Sequence, residues 1–132
     1  MERLSCDAAE LTTEFGVRVG RWAQYPANKL LPFDAMWCRV PAGGRTERDC
    51  HPEIELAVVV NGSAAFESPA AADAATGATA DDDGTGADSG TGAMTDAPQG
   101  TAVLLHGNEP HVVHNKSADE PLILLSIYWL PE

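Results

Sequence analysis

GGRTERDCHPEIELAVVVNG, residues 43–62, is the stretch whose reading decides the fold. It opens on a glycine pair after Pro41-Ala42, a strong turn signal, and closes on Asn61-Gly62. That last dipeptide, between β-prone segments, is the strongest short-range hairpin signal. Glu53 to Val60 reads as a strand, and its apolar run Leu56 to Val60 predicts cover on both faces. Side chains on a strand alternate faces. Taking Asp49 to Glu55 as one strand puts Asp49, His51, Glu53 and Glu55 on one face, and Cys50, Pro52 and Ile54 on the other. Facing water, that acidic face is ordinary. Facing inward, its charges are costly to bury unless paired or metal-bound. Periodicity alone leaves both readings open.

Working outward, the neighbouring segments are also strand-like. Val17 to Trp22 is β-rich, and Phe33 to Val40 alternates up to the turn. Ser63 to Glu67 is the expected returning strand of the Asn61-Gly62 hairpin. Further on, Thr101 to Leu105 is apolar, residues 107–110 (Gly-Asn-Glu-Pro) turn, and His111 to His114 follows. Pro121 breaks the chain before a long final strand, Leu122 to Leu130. Asp7 to Glu14 is the one helical candidate. Many short strands separated by Gly, Pro and Asn turns predict an all-β, antiparallel sandwich or barrel.

Ser68 to Pro98 stands apart as an Ala/Asp/Gly/Thr/Ser tract without aromatic, Leu, Ile, Val, Lys or Arg. Such a composition buries too little apolar surface to offset its ordering entropy, so the tract is expected to be a disordered insertion within a single domain spanning 1–132. Its six aspartates supply half of the formal net charge of -12. That charge repels phosphate backbones and argues against nucleic acid as a partner. No apolar run of about 20 residues suggests a membrane span, and the first six residues carry no apolar signal-peptide core. Three cysteines, Cys6, Cys38 and Cys50, have no disulfide-framework spacing. The expectation is a soluble cytoplasmic protein.

The chemistry-bearing residues cluster. All four histidines lie in two short stretches, His51 in the first and His106, His111 and His114 in the second. Imidazoles and a carboxylate from two strands can form the 2-His-1-carboxylate arrangement that holds Fe(II) and related divalent ions. His111 and His114 differ by three, so strand parity lets only one face the site. His111 is the preferred member, with His114 a hydrogen-bonding neighbour or surface residue. His106, just before a turn, is a peripheral candidate.

With these positions in hand, the chain resembles the cupin superfamily. The first cupin motif begins at Gly43, with His51 as its second His, Glu55 as its Glu and Gly62 as its closing Gly. The second begins at Gly100, with His111 as its His and Asn115 as its Asn. Three positions depart: Asp49 replaces the first His, His106 a Pro and Asn108 a Gly. The resemblance implies an antiparallel jelly-roll barrel in which His51, Glu55 and His111 coordinate a divalent metal. A carboxylate at Asp49 can complete an oxygen-rich set suited to Mn or Fe(II) as well as Zn, or can orient His51 from behind. Cys50, on the opposite strand face, is expected to pack.

A narrower likeness covers residues 31–44 and Leu125 to Trp129, which resemble the cupin part of hydrazine synthetases. That likeness implies N–N bond formation, with a separate synthetase-like partner activating the substrate.

The functional expectation is a small metal-dependent enzyme acting on a small polar metabolite in specialised metabolism. The metal is a Lewis acid and template, Glu55 and Asp49 are the candidate general bases, and Trp37 and Tyr128 either line the mouth or pack. The alternative is a binding or sensor barrel without turnover. An apolar final strand at a sheet edge suggests a homodimer.

Overall fold

The computed structural model describes residues 1–68 and 93–132. Within them the chain forms β1 (Thr12–Glu14), β2 (Val17–Arg21), β3 (Asp34–Val40), β4 (Ile54–Asn61), β5 (Ser63–Ser68), β6 (Ala93–Pro98), β7 (Ala102–Leu105), β8 (Val112–Asn115) and β9 (Leu122–Trp129). All pairings are antiparallel. A six-stranded sheet runs β1-β2-β3-β9-β4-β7, and a three-stranded sheet runs β6-β5-β8. The two sheets close over a core that includes Val19, Val40, Val59, Phe66, Val113, Leu122 and Leu124. This is the all-β, antiparallel jelly-roll barrel expected from the sequence.

Several local expectations are corrected. Strand β4 does not lie buried on both faces. Glu55, Ala57 and Val59 point inward, Leu56 and Val58 are half-exposed, and Val60 is exposed. Its apolar outer residues reflect an apolar outer sheet surface rather than a second covering layer. Strand β9 is not an edge, because β3 and β4 flank it, so the edge argument for a dimer falls. Asn61-Gly62 does not close a hairpin either: β5 pairs with β6 and β8, not with β4. Gly62 instead carries the chain from one sheet to the other at φ 97°, a conformation open to glycine. A Cβ there would stand 3.3 Å from the Leu122 Cα.

Asp49 to Glu55 is likewise not one strand. Asp49 forms an isolated antiparallel bridge with His111, extending the three-stranded sheet, whereas β4 in the six-stranded sheet begins only at Ile54. The chain changes sheets between them, at Pro52, which has no N–H to give to a ladder.

The disordered reading of Ser68 to Pro98 fails at its ends. Ser68 closes β5, and Ala93–Pro98 is strand β6, paired with β5 along its whole length. Composition measures the apolar surface a segment can bury, but an edge strand is held by backbone hydrogen bonds to one neighbour. Only Ala97 of β6 is buried, directly opposite Ala64, where two small side chains fit. The remainder of that expectation, 69–92, lies outside the described residues. Asp7 to Glu14 forms a turn and β1 rather than a helix. The described helical content is two short 3-10 segments, Trp22–Gln24 and Pro26–Leu30. No described helix is long and apolar enough to cross a membrane.

Candidate metal centre

The sheet change at Pro52 brings both sheets' contributions to one end of the barrel. Glu55 enters from β4 in the six-stranded sheet. Asp49 and His111 come from the bridge that extends the other sheet, and their backbones exchange hydrogen bonds of 3.1 and 3.0 Å. His51 stands on the connection between the sheets. Glu55 and His111 are the buried floor, 7% and 6% exposed, while Asp49 and His51 are only partly covered and form the rim.

Side-chain geometry draws these four together. His51 Nε2 lies 3.2 Å from Glu55 Oε1 and 3.9 Å from Asp49 Oδ2. His111 Nε2 lies 3.8 Å from the same Glu55 oxygen. The two imidazoles meet edge to face, with ring centroids 5.2 Å apart. Asp49, His51 and His111 each offer a donor atom within 4.8 Å of the others. All four sequence candidates therefore converge.

The opposite ring nitrogens are equally informative. His51 Nδ1 is 3.1 Å from the Glu53 carbonyl, and His111 Nδ1 is 2.9 Å from the Glu109 carbonyl. A carbonyl only accepts, so each ring carries a proton on Nδ1, which leaves Nε2 as the atom that either holds a second proton or ligates a cation. Both Nε2 atoms face the Glu55 carboxylate, and in the absence of a cation His51 donates to it only as the doubly protonated imidazolium. A backbone carbonyl on the far nitrogen is the support that metal-ligating histidines characteristically have. Asp49 is on the Nε2 side of His51, so orientation from behind falls to the Glu53 carbonyl instead.

Burial pushes the Glu55 carboxyl up. Hydrogen bonds from His51 and Ser126, with the positive fields of His111 and His51, outweigh that burial and hold it below the usual range. The hydrogen bond to Glu55 raises His51, against a smaller opposing effect of burial. Glu55 is thus held as the carboxylate that a cation requires.

Two motif departures have physical accounts. Asn108, in the position of a glycine, has φ 63°, and Asn is among the non-glycine residues most tolerant of that region. Its N–H donates to the His51 carbonyl at 2.6 Å. His106, in the position of a proline, donates its backbone N–H to Glu109 Oε1 at 2.9 Å, a bond proline cannot make. Between them, a Cβ on Gly107 would sit 2.6 Å from the Pro52 carbonyl oxygen, so the β7–β8 loop rests directly on the segment that carries His51.

The remaining candidates separate. The His106 side chain is exposed and the residue lines none of the cavities at the site. His114 turns away from His111 and pairs with Glu67 at 2.8 Å. Cys50 is exposed rather than packed, because it lies on the sheet-changing connection and not on a strand face. Trp37 is buried, with its Nε1–H donating to the Tyr25 hydroxyl at 3.0 Å, so it packs. Tyr128 does line the mouth, in a cavity of about 170 Å³ shared with Arg21, Asp49, His51, Glu53 and Glu55. Sequence reasoning missed Arg21, Ser126 and the two supporting carbonyls. Ser126 had a legible signal, as a polar residue in phase with Leu122 and Leu124 inside an otherwise apolar run.

The donor set fits a divalent cation. Two neutral imidazoles and two carboxylates, four donors in all, suit Zn, Fe(II) or Mn. Donors about 2.1 Å from one ion stand roughly 3 to 3.5 Å apart, close to the spacing of the Nε2 and Oε1 atoms seen here.

Comparison with solved structures supports the fold. A cupin 2 conserved barrel domain protein from Salinispora arenicola matches at 24% identity and TM-score 0.68, over 98% of this chain and 88% of that one. A predicted oxalate decarboxylase from Thermotoga maritima matches at 11% identity and TM-score 0.64, over 98% of this chain and all of that one. The formate complex of Lactobacillus farciminis oxalate decarboxylase matches at 17% identity and TM-score 0.67, over 96% of this chain but 32% of that one. No protein-family model and no curated protein matches the chain. The barrel is therefore a cupin fold, as the paired motifs implied.

Proposed function

We propose that this chain is a small metal-dependent enzyme. His51, His111, Glu55 and Asp49 hold one divalent cation, beside a cavity sized for a small polar metabolite. The observation that carries this reading is the pinned pair of imidazoles, whose Nδ1 atoms bond carbonyls and whose Nε2 atoms face one buried carboxylate. A bound cation would act as Lewis acid and template for ligand oxygen or nitrogen donors. The chain's own part is to fix both imidazole tautomers, keep Glu55 ionised and shield the floor from water. Asp49 is the better placed general base. It sits at the rim, and one of its oxygens is occupied only by the Cys50 N–H at 2.9 Å.

The narrower version, N–N bond formation on a substrate activated by a separate synthetase, rests on the sequence likeness of residues 31–44 and Leu125 to Trp129 to hydrazine synthetases. Supplying purified protein with activated amino acid esters of hydroxylated amines, and following product by mass spectrometry, tests it. Hydrolysis of the ester with no new N–N bond would refute it. Turnover of any small polar substrate, abolished by His111→Ala, separates the enzyme from a sensor barrel, for which ligand binding without turnover is the expected result.

A homodimer remains part of the proposal on a different footing. Ile54, Leu56 and Val58 of β4 register against Trp129, Ile127 and Leu125 of β9, and Leu104 of β7 lies beside Leu56. All are half-exposed or exposed, which makes a continuous apolar outer sheet face that a second copy could cover.

A further inference from the structure

The cavity beside the candidate metal centre has a second polar end that the four ligands do not use. Arg21, from the end of β2, donates from Nη1 to the Tyr128 hydroxyl at 2.6 Å. Two further donors are tied down: Nε and Nη2 reach the two Glu14 carboxylate oxygens at 3.2 and 2.8 Å. The guanidinium carbon is 6.0 Å from the Tyr128 ring centre. Glu14 therefore neutralises Arg21 and fixes its fork, and the fork in turn fixes the phenol.

The consequence concerns the phenolic hydrogen. Because Arg21 donates to the Tyr128 oxygen, the hydroxyl serves there as acceptor and its own hydrogen is directed elsewhere. Among the described residues no side chain or carbonyl accepts it. Tyr128 is on the inward phase of β9, in register with Glu55, and lines the same cavity as Asp49, His51 and Glu55. Among the described residues Arg21 is the one Lys or Arg side chain lining that cavity. One end of the cavity is thus imidazole and carboxylate, and the other is a polarised hydroxyl donor backed by a guanidinium.

We infer that Tyr128, held by Arg21, is a substrate-anchoring residue: its hydroxyl donates to a carboxylate of a small ligand whose other end meets the metal centre. This rests on the functional reading above and narrows the substrate class to small carboxylates bearing a second polar group. The residue acts on specificity, and Arg21 is its positioning residue.

The test uses the full chain and simple probes. Oxalate, malonate and succinate, with acetate as the one-ended control, are titrated calorimetrically into wild type, Tyr128→Phe and Met36→Leu, each loaded with Zn(II). Tyr128→Phe keeps the ring and removes only the donor, and Met36 lines the same cavity without a hydrogen bond. At least one dicarboxylate should bind wild type more tightly than acetate does. Tyr128→Phe should weaken that dicarboxylate by about tenfold or more, the usual weight of a hydrogen bond to a charged group, while leaving acetate within about twofold. Equal affinities in wild type and Tyr128→Phe, or an equal loss in Met36→Leu, would overturn the inference. Zn(II) titration of the same samples judges the functional reading separately. A chain that binds no Zn(II) sinks the metal enzyme, whereas metal binding with Tyr128-independent dicarboxylate affinity sinks only the anchor.

Discussion

Replacing Asn115 should unfasten the barrel without emptying its site. Asn115 ends β8 and is 6% exposed. Its amide nitrogen lies 2.7 Å from the Glu120 carbonyl, 3.1 Å from that of Pro41 and 3.2 Å from that of Val40. Its oxygen accepts the Ser117 N–H at 2.9 Å. Two amide hydrogens and one oxygen make about three net hydrogen bonds, worth about 1 kcal/mol each. Alanine there also leaves carbonyls in a buried setting without their donor, so the expected cost is about 3 to 5 kcal/mol. Aspartate should cost at least as much near neutral pH, because an oxygen would then face three carbonyl oxygens. The assay is equilibrium urea unfolding. With a slope of roughly 1 to 3 kcal/mol/M, the midpoint should fall by at least about 1 M. Asn115 is four residues along the strand from His111, roughly 13 Å, so metal stoichiometry should be unchanged in Asn115→Ala. A loss below about 1 kcal/mol, or loss of metal binding without loss of stability, would refute the reasoning.

Further outcomes follow from the same geometry. Burial pushes the Cys38 thiol up to about 12, while Cys50 is exposed; a maleimide should label Cys50 first and Cys38 only on unfolding, and equal rates by mass spectrometry would contradict the packing. Asn108→Gly should be tolerated, and Asn108→Val, forced to φ near 63°, should lose about 1 to 2 kcal/mol in thermal or urea unfolding. In chelator, the stability contributed by Glu55 is present above the ordinary carboxylate value and is lost as pH falls through its lowered value. The contribution of His51 runs the other way: present below its ordinary 6.5, it is lost as pH rises through the raised value. The metal-free chain should therefore be most stable between those limits, and His51→Gln should flatten the alkaline arm of the unfolding profile. On light scattering the chain should run as a dimer, and Ile127→Glu on the outer face should run as a monomer.

The sequence made the barrel legible because its turns and its two motifs are local signals. Strand parity separated His111 from His114, since the chain runs extended from the His111 bridge into β8. Parity failed between Asp49 and Glu55, where the chain changes sheets at Pro52 and neighbouring residues belong to different ladders. The site survived that error because both ladders end at the same mouth. What could not be read were contacts made across the chain: Arg21 reaches Tyr128 over 107 positions, and the Asn108 N–H holds the His51 carbonyl. Strand β6 was illegible for another reason. Its pairing is carried by backbone groups that every residue has, so composition contains no trace of it.

The metal content of the purified full chain, with His51→Ala, Glu55→Gln and His111→Ala alongside, tests the account most directly. Elemental analysis after dialysis against Zn(II), Fe(II) or Mn(II) should find close to one ion per wild-type chain. Each variant should lose it while keeping a wild-type circular dichroism spectrum. A wild-type chain that binds no ion, or variants that retain a full equivalent, would contradict the convergence of these side chains on a metal.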